Sequence, residues 1–343
     1  MVDQLITIAP ATRAAIPAIV DLMHAQQSRQ LLRDPHLRHV DTRAQLETTL
    51  REHINEQAIV ALNAEGRVRG YAQPSVWPLK ETSILRAFLS ARNGIVQKLT
   101  LPDPADEDAN AVVAALLTAL DQVWRDAGTT GDLVRWPSKD NWFDADLARQ
   151  RFQLDSVCAF RPLLPFFAIR PASNPLVRIR TARPEDEDAL VALFDEEVRY
   201  HERYIPFAHS SPEVTAAFRK KLKGVWEGKG LADGAPLVLV ADKGGTVVGM
   251  AENTLVTLTT DDEPGFTPAG DYWCLDNVSV REDYHSQGIG RLLVQAVEDV
   301  VPSFHFDLRG YILWFNPDNL SAGRFWPRLG FQPLWTTYQR LHS

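Results

Sequence analysis

The residues best placed to do chemistry lie in one stretch, CLDNVSVREDYHSQGIGRLLVQAVEDVV, from Cys274 to Val301. It reads as a short strand, a loop holding Gly288 and Gly290, and a helix whose apolar face includes Leu292, Leu293, Ala296, Val297 and Val300. Glycines at the opening of a helix let the backbone approach a ligand closely, and the unpaired N–H groups of the first turn form an anion site. Pyrophosphate can be held there without a basic side chain, with His285 and Arg291 adding charge at the rim. Two carboxylates accompany the glycine loop. Asp276 precedes Val278 and Val280 on their strand and shares their face, and Glu252 lies on the adjacent hairpin strand. Each is a candidate proton relay, set against the plainer reading of a solvated or ion-paired carboxylate at a strand end. No H-E-x-x-H pair occurs, so no metal is expected.

The loop alone fits several anion-binding designs. A dinucleotide site needs G-x-G-x-x-G, but Leu293 stands at the third position, and a P-loop needs a Lys after its last glycine, which is missing. His285-Ser286-Gln287-Gly288-Ile289-Gly290 resembles motif A of the Gcn5-related N-acetyltransferases (GNAT): Arg or Gln, two variable residues, Gly, any residue, then Gly or Ala. Val278, Val280 and Tyr284 precede it as that motif requires, while His285 departs from its first position. A second signature follows at 319–331, NLSAGRFWPRLGF, where Asn319, Ala322, Phe325, Trp326, Gly330 and Phe331 occupy the family's places.

The resemblance implies acetyl-CoA as acyl donor, with its pantetheine arm between a strand that precedes the loop and a strand that follows the helix. On that pattern Val278, Ser279 and Val280 meet the pantetheine, and Ser286, Gln287, Gly288, Ile289, Gly290 and Arg291 hold the pyrophosphate with His285 beside them. Asn319, Phe325 and Trp326 belong to the same cofactor site. Family members often place an acid for the departing thiolate, a Tyr, where this chain has Trp326. An indole cannot serve as that acid, so Tyr338 and Tyr284 are the substitutes, each set against a packed aromatic ring. Asp276, Glu252 and Tyr338 are the catalytic candidates. The implied activity is acetyl transfer to a primary amine of a small molecule or peptide; the rival is a non-catalytic acyl-CoA-binding sensor.

The elements that must position these residues occur twice. Hairpins at 58–72 and 237–251 match with Gly70 and Gly249 179 residues apart, and the same offset pairs IVQKLTL (95–101) with CLDNVSV (274–280), Phe152 with Phe331 and Arg161 with Arg340. Nearer the start of each half the offset is 171, ahead of helices with apolar positions Ile16, Ile19, Val20 and Met23 or Leu190, Leu193, Phe194 and Val198. The chain therefore reads as a tandem duplication: a GNAT-like domain at 1–168, a linker at 169–175 and a second domain at 176–343. Each half is expected to be α/β, with a mostly antiparallel mixed sheet flanked by helices and ending in a strand pair. Subtracting 179 from the glycine loop lands on Asp106-Glu107-Asp108-Ala109-Asn110-Ala111. Both glycines are alanine there and three carboxylates oppose an anion, so the first half is expected to bind no CoA.

Bulk composition removes other classes. A formal charge of −8 argues against a phosphate-backbone grip on nucleic acid, and no run of roughly 18 apolar residues marks a membrane helix. Asp3 and Arg13 flank an interrupted apolar stretch with no basic leader, which predicts a cytoplasmic protein. Cys158 and Cys274 are too few for a disulfide framework and lie in apolar runs, as core thiols do. Oligomeric state is left open.

Overall fold

The computed structural model describes residues 5–163, 173–205, 207–259 and 266–342. Asp3 and the 169–172 portion of the expected linker lie outside them. The N-terminal half runs β1 (Thr7–Pro10), α1 (Ile16–Arg33), α2 (Arg43–His53), β2 (Ile59–Leu62), β3 (Val68–Pro78), β4 (Arg92–Thr100), α3 (Ala109–Asp126), β5 (Gly131–Pro137), α4 (Asp144–Arg149) and β6 (Gln153–Pro162). The C-terminal half repeats the order as β7 (Arg178–Thr181), α5 (Glu187–His201), α6 (Pro212–Trp226), β8 (Leu237–Lys243), β9 (Thr246–Leu258), β10 (Gly270–Val280), α7 (Ile289–Val300), β11 (Leu308–Phe315), α8 (Leu320–Arg328) and β12 (Gln332–Leu341). The expected mixed, mostly antiparallel sheet is present: among the described residues only β4–β5 and β10–β11 pair in parallel. No helix among the described residues is long and apolar enough to cross a membrane.

The helix faces follow from the apolar periods. Ile16, Ile19, Val20 and Met23 are buried on α1, and Leu190, Leu193, Phe194 and Val198 on α5. The α7 face is rotated from expectation, burying Ile289, Leu293, Val294 and Val297 and leaving Leu292 half-buried. Burying one such aliphatic side chain stabilises by about 1.5–3 kcal/mol, so these stripes fix each helix against its sheet face. Both cysteines are free and buried.

One expectation fails. Each half ends in a single strand, not a strand pair, and the two last strands are exchanged. All twelve strands form one sheet in the order β1-β2-β3-β4-β5-β12-β6-β11-β10-β9-β8-β7. β6 of the first half lies between β11 and β12, and β12 of the second half lies between β5 and β6. With one final strand per half, each fifth strand (β5, β11) gains an antiparallel neighbour only from the other half, which leaves no exposed edge in mid-sheet. Reciprocal arginines lock the exchange. The Arg161 guanidinium lies over Tyr311 and Phe331 and pairs with Glu298, while that of Arg340 lies over Phe152 and pairs with Asp121 and Asp132. His342 joins Asp121 and Asp132 in a cluster able to attract a cation, but Arg340 already stands 2.6 Å from both carboxylates.

Candidate active site

β10 and β11 part in the middle of the sheet. Their parallel pairing runs only from Asp271 to Cys274; beyond that β10 is paired with β9 alone while β11 continues against β6. The gap ends at the glycine loop. Ser286 (φ 61°) and Gly288 (φ 77°) both adopt left-handed backbone, which turns the chain sharply into α7. A side chain at Gly288 would meet nothing within 4 Å, so open space lies before the first turn. No side chain caps α7, and its first turn carries no acid. An acyl-CoA pyrophosphate fits such a helix start, and its pantetheine fits an unpaired strand edge.

The other predicted cofactor residues group around this gap with different roles. The Asn319 side chain accepts from the Ser321 and Ala322 amides and so caps α8. Phe325 faces Gly290, its ring about 3.4 Å from where a Cβ would stand. Trp326 is buried in the core, its ring edge-on to Phe325 and Phe331. The His285 Nε2 lies 2.7 Å from the Val280 carbonyl, tying the loop to the end of β10; a rim charge on the phosphate was expected of it. The Gln287 side chain donates to the Asp283 carbonyl at 3.3 Å.

Of the catalytic candidates, the structure brings two together. Asp276 is the extra residue of a β-bulge between β10 and β9, a device that re-aims a side chain. Its carboxylate accepts from Thr254 Oγ1 at 2.8 Å and from the Cys274 thiol at 3.1 Å. Glu252 is fully buried and accepts from Asn277 Nδ2. Between them stands Lys221 of α6, in contact with Glu252 and 3.6 Å from Asp276. Burial pushes the Glu252 carboxyl up, with Lys221 opposing. Burial also works against the Lys221 ammonium, but Glu252 and Asp276 outweigh it and hold its pKa above the ordinary value. Lys221 escaped the sequence reading because it sits in the charged run RKKLK, where nothing distinguishes it.

Tyr338 is not part of this group. Its strand is the exchanged one, so its ring packs in the N-terminal core and its hydroxyl donates to Asp144 Oδ1 at 2.7 Å. Burial and that carboxylate raise its pKa. Tyr284 lies beneath the Lys243 ammonium, 4.8 Å from its ring centre. The phenol beside α8 is Tyr200, whose hydroxyl lies 3.5 Å from Asn319 Oδ1. A hydrogen bond with Tyr204 raises its pKa.

The first half shows the same frame closed. Its bulge falls on Gln97, 179 residues before Asp276, and Gln73 stands for Glu252; the two amides bond each other at 3.0 Å. The backbone groups matching those of Val278 and Val280 are taken by Gln26, which donates to the Leu99 carbonyl at 3.0 Å and accepts from the Leu101 amide at 2.7 Å. No described side chain bridges the Val278 carbonyl and Val280 amide. At the start of α3, Arg69 is clamped by Asp106 and Asp108 at 2.6–2.7 Å, which lowers the Asp108 pKa through the Arg69 bond. Val248 occupies the matching position in the second half. Beside Gln26 and Gln97 lies a cavity of about 220 Å³, also lined by Gln30, Gln45 and Phe266.

Residues 190–331 match the acetyltransferase (GNAT) family. Among solved structures, a GCN5-related N-acetyltransferase from Sphaerobacter thermophilus is 14% identical, with 98% of this chain and 95% of that chain covered and a TM-score of 0.51. A tandem GNAT protein from the clavulanic acid biosynthesis pathway is 15% identical over 98% of each chain, with a TM-score of 0.44. A transcriptional regulator from Bacillus halodurans C-125 is 20% identical over 46% of this chain and 93% of that chain, at 0.35. At these identities the first likeness establishes the fold alone. No curated protein matches the sequence.

Proposed function

We propose that this chain, whose residues 190–331 match the acetyltransferase (GNAT) family, acetylates a primary amine of a small molecule or peptide, using acetyl-CoA held by its C-terminal half. One contrast carries the reading. The half with the family match keeps an open strand edge, a bare helix start and a Lys221–Glu252–Asp276 cluster, while its twin has each feature filled or neutralised.

Val278, Ser279 and Val280 would offer the pantetheine their backbone, and the first turn of α7 would hold the pyrophosphate, with Ser286 through Arg291 shaping the cradle. Acetyl-CoA supplies the thioester carbonyl that the amine attacks. The amine must be neutral, so a base has to remove its proton. Asp276 is the partly exposed carboxylate of the cluster and takes that proton at its Oδ atoms. Glu252, sealed behind it, fixes Lys221, and Lys221 sets the Asp276 orientation. Tyr200 stays protonated near neutral pH and stands beside the α8 cap, where a departing thiolate can take its proton.

The test is a calorimetric titration with acetyl-CoA, followed by free-thiol release with a panel of primary amines. Saturable binding and amine-dependent release support the enzyme. A second reading is favoured by Trp326, which puts an indole where family members carry the thiolate's acid. Binding without turnover across the panel would establish that reading, an acyl-CoA sensor.

A further inference from the structure

A second cluster of titratable groups lies where the exchanged strands meet the end of α5. Asp155 of β6 is 6% exposed, and its Oδ1 has no hydrogen-bond partner among the described residues, while Ser156 Oγ donates to its Oδ2 at 2.7 Å. Gln339 of β12 is fully buried with Oε1 unpaired, its amide directed to the Phe88 carbonyl at 3.5 Å. Phe88 packs edge-on against His201, 5.9 Å between ring centres. His201 lies 3.9 Å from Glu197, and His201 Nδ1 and Glu197 Oε2 are likewise buried without partners. Asn316 joins the backbone on both sides, donating to the Asp155 and Tyr204 carbonyls.

Folded proteins satisfy nearly all buried polar atoms, and each orphan costs about 1–3 kcal/mol. Three of these four orphans are oxygen acceptors, so what they lack is donors. An ammonium group brings three donors and no acceptor. Burial pushes the Asp155 carboxyl up to about 6, with Ser156, Arg135, His201 and Gln339 opposing, so the cations near it do not offset its burial. The twin half has no such need: Gln26 and Gln30 stand where α5 has Glu197 and His201, and Leu334 stands where β6 has Asp155.

The cluster cannot serve the reacting nitrogen. The Asp155, Glu197 and Gln339 oxygens are closed off from water and leave an ammonium's proton nowhere to go, whereas Asp276 is exposed and can hand the proton it takes to solvent. Building on the acyltransferase reading above, we propose that Asp155, Gln339 and Glu197 seat a second, non-reacting ammonium group of the acceptor, so the acceptor is a diamine whose other nitrogen meets Asp276. The N-terminal half then contributes to the chemistry through Asp155 and Phe88, which it brings against the end of α5 and Asn316.

The experiment uses the full chain saturated with CoA, titrated by calorimetry with 1,5-diaminopentane and with n-pentylamine as the one-charge control. The expected result is diamine binding at least tenfold tighter than monoamine binding, with that preference lost in Asp155→Asn and reduced in Glu197→Gln, both checked for an unchanged fold by thermal melting. No binding, equal binding of the two amines, or a preference that survives both substitutions overturns the proposal and leaves water as the occupant. Acetylation of the two amines is scored separately. Asp155-dependent diamine binding without product keeps this site and removes the catalytic reading, while product formed from both amines with equal kcat/KM does the reverse.

Discussion

Residues 176–343 contain the whole family match and the whole candidate site, yet the strand exchange predicts that they do not fold alone. Removing the first half takes away β6, whose register runs from Gly310↔Pro162 to Phe315↔Val157 on one side and from Gln332↔Phe160 to Gln339↔Gln153 on the other. Roughly ten ladder hydrogen bonds are lost, each worth about 1 kcal/mol net. Val157, Cys158 and Ala159, all at most 3% exposed, leave the core and take a further few kcal/mol with them. Arg161 also leaves Tyr311, Phe331 and Glu298. The loss is on the order of 10 kcal/mol or more, against a total stability of about 5–15 kcal/mol for a typical domain. Residues 176–343 expressed alone should show no cooperative thermal transition by circular dichroism and no acetyl-CoA binding. Co-expression with residues 1–168 as a separate chain should restore both. A monomeric 176–343 fragment that melts sharply and binds acetyl-CoA like the full chain would refute the importance given to the exchange.

Gly288→Glu puts a side chain on left-handed backbone and a negative charge before α7, so acetyl-CoA affinity should fall at least a hundredfold in calorimetry while the circular dichroism spectrum is retained. Asp276→Asn should lower kcat about a hundredfold with less than a threefold change in acetyl-CoA Kd; a kcat within twofold of wild type removes Asp276 from the proton path. Asp155 gives a pH signature. Its folded pKa of about 6 lies above the unfolded carboxylate value, so the folded state binds the proton more tightly. The stability this contributes is complete below about pH 4 and lost as pH rises to about 6, roughly 3 kcal/mol in all. Asp155→Asn should therefore melt a few degrees above wild type at pH 7.5, with the gap closing by pH 4. A gap that is constant across that range contradicts the assigned burial cost.

Much of this was legible in the sequence because local patterns carry it. The 179-residue offset places both bulges at matching positions, Gln97 and Asp276, and the glycine pair marks the helix start. Partner choice among strands was not legible. An apolar alternation specifies which face of a strand is buried but not which neighbour it joins. Tyr338, a candidate acid set against a packed aromatic ring, lies on the strand that crosses over, which delivers it to Asp144. Lys221 was hidden for a different reason, since its role depends on α6 lying over two acids distant in sequence. Asp155 did leave a trace, a lone acid in the strand QLDSVCAF, where burial of a charge is costly enough to merit a reason.

The most direct measurement is a calorimetric titration of the full chain with acetyl-CoA, repeated on Gly288→Glu and on Arg69→Glu. The account predicts one site per chain, abolished by Gly288→Glu. Arg69→Glu breaks only the clamp over the α3 start and should leave that site's affinity unchanged. Two sites per chain, or one site that survives Gly288→Glu and disappears with Arg69→Glu, would place the acyl-CoA in the wrong half and contradict the account.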